Sequence, residues 1–267
     1  MRRLGVVGLV SLDRVDGGIP RLGGAPVYAA RALRLLGSPA VVATKVADED
    51  RPRLSVLGVP VVARPAAQTI GFRIENDGNT RHMEIDQLGD PFTPEDVTGW
   101  LSRALADADW VHAGALTRED FPAATLAALA RAHVISLDGQ GLVRRPEVGE
   151  LVLDTDYDPE ILEHVSILKL AHDELAALGL ELEEGALASL GVREVVVTLG
   201  PTGAVVYAEG AAEHIPTIPL EGIDPTGAGD SWTTAYLAYR RRRHSPVSAA
   251  RLANGAMSAM LGRRRAR

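Results

Sequence analysis

The chain has 267 residues, 46% of them hydrophobic and 24% charged, which are ordinary values for a globular protein with a substantial core. A net charge of -7 argues against nucleic-acid binding, and the lack of cysteine excludes a disulfide framework and thiol chemistry. No apolar run approaches membrane-spanning length and the N-terminus lacks a signal-like segment, so we expect a cytoplasmic protein with no membrane partner.

Short apolar runs alternate with helical patterns along the chain. The predicted strands are 4–10, 39–46, 109–113, 133–138, 165–170 and 194–199, and the predicted helices are 25–36, 94–106, 119–131, 158–164, 172–190, 228–241 and 246–261. This alternation predicts one α/β domain over residues 1–267, with a mainly parallel sheet covered on both faces. Such sheets bind ligands beyond the carboxyl ends of their strands.

Residues 68–89 break the alternation. Two runs of alternating polar and apolar residues, 69–75 and 80–85, flank an Asp-Gly turn at residues 77 and 78, which predicts a β-hairpin. The hairpin adds little to the strand and helix layers, so we expect the core to fold without it. It can serve as a lid over a ligand or be an ordinary surface hairpin.

A turn of small residues, 226–229, leads into the predicted helix 228–241 and places Asp230 in its first turn. N–H groups at a helix start lack intrahelical partners and attract anions, and glycine lets an anion approach the backbone. A carboxylate beside such a site suits a general base acting on a hydroxyl while the N–H groups hold a phosphoryl group. The helix dipole predicts a lowered pKa for Asp230. A Gly-rich helix start capped by Asp, without chemistry, is the alternative.

Five further stretches, all earlier in the chain, occur in an order and at distances that are typical of one enzyme family. They are 5–13, 23–30, 138–141, 169–174 and 195–203. Together with Asp224-Pro225-Thr226-Gly227-Ala228-Gly229-Asp230, they resemble the PfkB (ribokinase-like) family of small-molecule kinases over nearly the full chain. The resemblance implies a three-layer α/β/α sandwich with a mainly parallel central sheet and a small β-hairpin lid. It also implies ATP-dependent phosphoryl transfer to an alcohol, with Mg²⁺ as a cofactor.

The resemblance assigns roles on the donor side of the site. Asp230 would be the general base, with an anion hole formed by the N–H groups of Gly227, Ala228 and Gly229. The nucleotide would be held by Thr198, Gly200, Gly203, Thr226 and Asn254.

Two acidic residues are the candidates for metal binding. Glu174 matches the Glu of the family's Asn-x-x-Glu motif, which reaches magnesium through water, although Ala171 stands where the family has Asn. Asp224 matches a position that helps to bind a monovalent cation in many relatives, or it caps the turn.

The resemblance also assigns the acceptor site, to Asp13, Gly24, Tyr28, Asp138, Gln140 and Arg144. Asp13 can accept hydrogen bonds from vicinal hydroxyls, unless it caps its loop or pairs with Arg14. The stretch from Asp138 to Arg144 resembles the family's myo-inositol kinase branch, which also tends to carry an aromatic residue at the position of Tyr28.

The acceptor prediction therefore starts with myo-inositol or a related polyol, followed by a pentose or hexose. A nucleoside kinase of the same family and a catalytically silent ligand-binding relative are the alternatives. Lid residues Arg73, Asn79 and Arg81 are candidates to complete the site, and the lid is a candidate contact for a homodimer.

Overall fold

The computed structural model describes residues 2–77, 80–219 and 225–265. Its strands are β1 (Arg3–Gly8), β2 (Ser11–Val15), β3 (Arg21–Gly23), β4 (Ala40–Val46), β5 (Val61–Pro65), β6 (Ile70–Asp77), β7 (Thr80–Gln87), β8 (Ala108–Gly114), β9 (Val134–Asp138), β10 (Gly149–Glu150), β11 (Ile167–Ala171), β12 (Glu194–Thr198), β13 (Ala204–Ala208) and β14 (Ala211–Ile215).

The helices are α1 (Ala25–Leu35), α2 (Pro94–Asp96), α3 (Ser102–Ala104), α4 (Ala123–Ala130), α5 (Gln140–Val143), α6 (Glu160–Glu163), α7 (His172–Ala177), α8 (Glu184–Ser189), α9 (Ala228–Arg241) and α10 (Pro246–Arg265). A π-helical turn, Val97–Leu101, joins α2 to α3, and short 3₁₀ turns occupy Arg51–Leu57 and Gly200–Thr202. Within the described ranges, no helix is both long and apolar enough to cross a membrane.

A nine-stranded sheet in the order β14-β13-β12-β11-β9-β8-β1-β4-β5 forms the middle layer. Its strands pair in parallel from β12 to β5, and β13 and β14 add an antiparallel edge. Alternate residues of each strand face opposite layers: Leu4 and Val6 pack with Leu33 of α1, whereas Val7 packs with Leu126 of α4. The predicted α/β sandwich with a mainly parallel sheet is confirmed.

Three predicted elements differ from the observed ones. The predicted helix 172–190 is two helices, α7 and α8, because the chain turns at Gly179, which has a φ of 69°. The predicted helix 119–131 begins only after Pro122, which lies at the N-cap of α4. Strand β1 ends at Gly8, so Asp13 belongs to a separate strand, β2, and not to a loop.

The predicted hairpin is present as the antiparallel pair β6 and β7, but it belongs to a larger sheet. That sheet, here called the lid sheet, has the order β10-β7-β6-β2-β3. Strand β2 pairs in parallel with β6, and no local sequence pattern predicts this pairing. The lid is therefore more than the hairpin that the sequence predicted.

The lid sheet is packed into the core on one of its faces. Ile70, Phe72, Ile74 and Ile85 are all buried, in the same cluster as Leu126 of α4. This burial argues against the expectation that the core folds without the hairpin, which stays a prediction, because deleting the hairpin would remove these four buried side chains.

The hairpin's contribution to stability can be measured with Ile85→Ala. Ile85 is 1% exposed, so its truncation should lower the free energy of unfolding by about 2 to 5 kcal/mol. Ile19→Ala is the matched control, because Ile19 is 84% exposed and its loss should change stability by less than about 0.5 kcal/mol. Urea unfolding measures both, and equal small effects would show that the lid sheet is peripheral.

Candidate active site

The N-terminus of α9 is built around Gly227. This N-cap residue has a φ of 70°, a left-handed conformation that favours glycine. A Cβ added there would lie 2.1 Å from an atom of the Tyr28 ring, so the ring of α1 packs directly on the turn. Glycine is therefore required at this position for two independent reasons, and Asp230 follows in the first turn of the helix.

A cavity of about 780 Å³ opens between the lid sheet and the carboxyl ends of β8, β9 and β11. It gathers residues predicted for catalysis, acceptor binding and metal binding. Those on its wall are Asp13, Gly24, Tyr28, Gln140, Arg144, Glu174, Thr226, Gly227, Gly229 and Asp230. Thr226, which the sequence assigned to the nucleotide, thus lies on the acceptor side.

A second cavity, of about 330 Å³, lies on the other side of the α9 N-terminus. The predicted donor residues line it, namely Thr198, Gly200, Gly203, Ala228, Gly229 and Asn254. Gly229 lines both cavities, so they meet at the predicted anion hole. Asp224 and the lid residue Asn79 lie outside the described residues.

Asp13 is held in a fixed orientation. The Ser11 hydroxyl donates a hydrogen bond of 2.6 Å to Asp13 Oδ1, and a Cβ on Gly23 would lie 1.9 Å from Asp13 Oδ2. Burial raises the pKa of this carboxyl, against the lowering effects of Ser11, Arg81 and Arg144. The carboxylate faces the cavity with its conformation already set, as an acceptor of hydroxyl hydrogen bonds requires.

Lys169 is the site residue that sequence reasoning missed. It lies on β11, its side chain is 4% exposed, and its Nζ is 3.4 Å from Asp138 Oδ1 and 3.8 Å from Glu174 Oε2. Although burial lowers the pKa of Lys169, Asp138, Glu174 and Asp230 together raise it above its ordinary value. The available signal was a lysine between Leu168 and Leu170 in an otherwise apolar strand.

The structure corrects the place predicted for Asp138. Its side chain is fully buried behind Lys169 and is absent from the wall of either cavity. Its Oδ1 accepts hydrogen bonds of 3.4 Å from Lys169 Nζ and from the Gln140 N–H, and both of these residues line the acceptor cavity, while a direct contact of Asp138 with an acceptor stays a prediction. Gln140 and Arg144, from the same stretch, do reach the acceptor cavity.

The predicted lowering of the Asp230 pKa is wrong. Burial and the negative charge of Asp138 raise the pKa of Asp230 to about 7, against the lowering effects of Lys169 and Arg144, and Glu174 raises it further. The helix dipole is a smaller influence than desolvation beside two carboxylates. A carboxyl with a pKa near 7 is well matched to proton transfer at neutral pH.

Glu174 fits a contact with magnesium carried in by a nucleotide. One oxygen, Oε2, accepts the Ala171 N–H at 2.7 Å and faces Lys169, while the side chain reaches the cavity wall. Magnesium commonly binds one or two carboxylates together with substrate phosphates and water. No cluster of three or more potential ligands forms a complete metal cage within the described ranges.

Among the donor-side residues, Asn254 has a structural task already. Its Oδ1 accepts the Trp232 indole N–H at 2.7 Å, and its Nδ2 donates to the Ile215 and Pro216 carbonyl oxygens at 3.1 and 3.0 Å. These bonds hold α9, α10 and the end of β14 together around the second cavity. A polar contact of Asn254 with a nucleotide stays a prediction that competes with these bonds.

The lid arginines occupy two different environments. Arg73 pairs with Glu84 at 2.7 Å and with Asp86 at 2.6 Å, and it is not on the cavity wall. Arg81 lines the cavity and lowers the pKa of Asp13 by its charge. Of these two lid residues, Arg81 is thus the one that the structure brings to the site.

The sequence from residue 12 to residue 267 matches the family described as pfkB family carbohydrate kinase. The chain belongs to this family. Inositol 3-kinase of Zea mays is 31% identical over 125 residues, which are 47% of this chain and 30% of the maize protein. An ATP-dependent ribose-1-phosphate kinase of Halopiger xanaduensis is 26% identical over 226 residues, 81% of this chain and 72% of that protein.

Solved structures give a longer match for the fold. A pyrophosphate-dependent kinase in the ribokinase family, solved with a pyrophosphate analog and myo-inositol, has a TM-score of 0.84 and 27% sequence identity. The match covers 97% of this chain and 95% of the other. The predicted resemblance to PfkB kinases, including their myo-inositol kinase branch, is confirmed.

The raised pKa of Asp230 predicts how its replacement changes stability. Folding favours the protonated carboxyl, so this group costs stability increasingly as the pH rises from about 4 through 7. Asp230→Asn should therefore raise the melting temperature at pH 8, and the gain should shrink as the pH falls toward 4. Asp48→Asn, at an exposed position, should change the melting temperature little at either pH. A gain for Asp230→Asn that does not depend on pH would contradict the raised pKa.

Proposed function

We propose that the protein is an ATP-dependent kinase that transfers the γ-phosphoryl group to a hydroxyl of a small uncharged polyol, with myo-inositol as the first candidate. The observation that carries this proposal is the junction at Gly229, where residues 227–229 and the Asp230 carboxyl lie between two cavities, while the Ala228 N–H also donates to the Pro225 carbonyl oxygen at 2.9 Å. Such a junction suits a phosphoryl group that passes from a donor on one side to an acceptor on the other.

The chemical step uses few protein groups. The acceptor oxygen forms a bond to the γ-phosphorus as the bond from that phosphorus to the bridging oxygen breaks, and ADP leaves with the bonding electrons. The hydroxyl proton passes to the Asp230 carboxylate, and the backbone N–H groups at the start of α9 stabilise the phosphoryl oxygens. Magnesium, bound with the nucleotide, neutralises charge on the phosphates.

The charges on the acceptor cavity support an uncharged acceptor. Its acidic residues are Asp13, Glu75, Glu84, Glu150, Asp173, Glu174 and Asp230, and its Lys and Arg residues are Arg81, Arg144 and Lys169. Seven carboxyl groups against three cations would repel an acceptor that already bears a phosphate. Carboxylates accept hydrogen bonds from hydroxyls, which a cyclitol presents on every ring carbon. The resemblance to the structure solved with myo-inositol favours that ring over a phosphorylated sugar.

The second cavity supports a nucleotide donor. Apolar side chains dominate its far wall, including those of Pro201, Trp232, Met257 and Leu261. Such a wall suits a nucleobase, whereas inorganic pyrophosphate would make no use of it. Pyrophosphate remains the second candidate donor, because a similar solved kinase is pyrophosphate-dependent.

Filling the second cavity tests the donor. Ser258 of α10 lines this cavity, and Ser258→Trp should raise KM for ATP by about tenfold or more by occupying the space of the base. Ala259→Trp is the control, because Ala259 is exposed on the same helix. Both variants and the wild type are assayed with ATP and with pyrophosphate. Turnover with pyrophosphate alone, unchanged by Ser258→Trp, would contradict the nucleotide donor.

Asp230→Asn tests the base. Loss of general-base assistance should lower kcat by about 10²- to 10⁴-fold with little change in nucleotide affinity. In the wild type, kcat/KM should rise with pH through about 7 as the Asp230 carboxyl ionises, and the variant should lose this dependence. The acceptor panel is myo-inositol, ribose, ribose-1-phosphate and a nucleoside, each tested with ATP and with pyrophosphate, and formation of the phosphorylated acceptor is the readout.

Each outcome of that panel has a consequence. Turnover of the nucleoside alone would make the protein a nucleoside kinase, and turnover of ribose-1-phosphate would contradict the argument from cavity charge. No turnover of any acceptor with either donor would favour a catalytically silent relative. Cytoplasmic location, a homodimer through the lid and a monovalent cation at Asp224 stay predictions.

A further inference from the structure

Lysine is used in only two places in this chain. Of its 28 Lys and Arg residues, only Lys45 and Lys169 are lysines, and both have side chains that are at most 11% exposed. Lys45 makes a close ion pair, with its Nζ 2.6 Å from Asp96 Oδ2. Lysine carries a compact ammonium charge, whereas arginine carries a broad planar guanidinium group, so an arginine fits a confined lysine site less well.

The ion pairs of Lys169 are long by comparison. Its Nζ is 3.4 Å from Asp138 and 3.8 Å from Glu174, whereas charge-assisted N–H···O bonds are about 2.7 to 2.9 Å. The two carboxylates therefore balance the charge of the ammonium group without holding it at close range. An ammonium group has three N–H donors, so Lys169 can still bind a further anionic oxygen.

The position of Lys169 shows where that oxygen would lie. A Cβ added to Gly229 would be 3.4 Å from Lys169 Nζ and 3.7 Å from its Cε, so the end of the side chain packs beside the anion hole. Lys169 is on the wall of the acceptor cavity, and Gly229 lines both cavities. The ammonium group thus lies at the junction that a transferring phosphoryl group must cross.

We propose that Lys169 is a catalytic residue whose ammonium group donates a hydrogen bond to a non-bridging oxygen of the phosphoryl group during transfer. This inference rests on the proposed kinase function and adds a positive charge to the backbone N–H groups of residues 227–229. Lys169 keeps its proton throughout, so the proton of the acceptor still passes to Asp230.

Two other roles of Lys169 have to be separated from this one. Lys169 can act only as the counter-ion of Asp138 and Glu174, in which case its loss lowers stability. Alternatively, its only role can be to lower the pKa of Asp230. Arg144 lowers this pKa as well, whereas Asp138 and Glu174 raise it. In that second case, loss of Lys169 shifts the rise of kcat to a higher pH, and the plateau of kcat at high pH stays unchanged.

The kinetic experiment measures kcat for myo-inositol phosphorylation from pH 6 to pH 9.5 in the wild type, Lys169→Met, Lys169→Arg and the control Lys45→Met. We expect Lys169→Met to lower the high-pH plateau of kcat by about 10²- to 10³-fold, as loss of a transition-state donor does. Lys169→Arg should recover part of this loss, and Lys45→Met should leave the plateau unchanged. Recovery of the wild-type plateau by Lys169→Met at high pH would overturn the proposal.

A second measurement does not depend on whether a Lys169 variant folds. Wild-type protein labelled with ¹³C at the lysine Cε should give two side-chain NMR signals, assigned with Lys45→Met. A non-hydrolysable ATP analogue with Mg²⁺ and myo-inositol should shift the Lys169 signal and leave the Lys45 signal in place. Methylene diphosphonate provides the same test for a pyrophosphate donor.

The outcomes keep the two proposals distinct. If neither probe shifts the Lys169 signal while the wild type turns over, the Lys169 proposal fails and the kinase function stands. If the wild type transfers phosphoryl to no acceptor, the proposed function fails, and Lys169 is then no catalytic residue even if its signal shifts.

Discussion

The buried charges beneath the start of α9 are the constraint on which the site depends. The Lys169 side chain is buried, with its Nζ 3.4 Å from Asp138 Oδ1 and 3.8 Å from Glu174 Oε2. The charges of these three groups also shift the pKa of Asp230. A buried ammonium group is tolerated only with opposite charge beside it, and closely spaced carboxyl groups cannot all ionise freely. The same arrangement therefore keeps Lys169 charged and, together with burial, raises the pKa of Glu174 and that of Asp230, the latter to about 7.

The start of helix α9 lies beside this charge cluster and lines both cavities. Its first turn separates the two cavities, Tyr28 of α1 packs on its N-cap Gly227, and Trp232 is tied to Asn254 of α10. Residues 231–238 are all buried, so the helix has little freedom to shift relative to the sheet. The proposed anion site would therefore be fixed before any ligand binds, which would lower the cost of organising the transition state. Asp13, the proposed acceptor-binding acid, comes from the lid sheet, so the lid sheet takes part in forming the cavity.

The sequence predicted much of this arrangement where the signal is local. Alternation of strands and helices indicated the sandwich, and the motifs at 23–30 and 226–230 contain residues that line the larger cavity. Predictions failed where the cause is long-range: β2 joins β6 across more than fifty residues, and the alternation in 69–75 and 80–85 does not show that the apolar face packs into the main core. The pKa of Asp230 was predicted with the wrong sign because its neighbours Asp138 and Glu174 are distant in sequence. Lys169 was missed although its place in an apolar strand was a local signal, because its pairing with Asp138 is long-range.

The central claim is that the buried charge cluster keeps the Asp230 carboxyl titrating near neutral pH, and a direct titration tests it. Protein labelled with ¹³C at the aspartate carboxyl carbons is followed by NMR from pH 4 to pH 9, with the spectrum of Asp230→Asn assigning the Asp230 signal. The account predicts a midpoint at about 7 for this signal in the ligand-free protein. A signal that has completed its titration below pH 5 would contradict the account, because Asp230 would then behave as an ordinary helix-capping carboxylate.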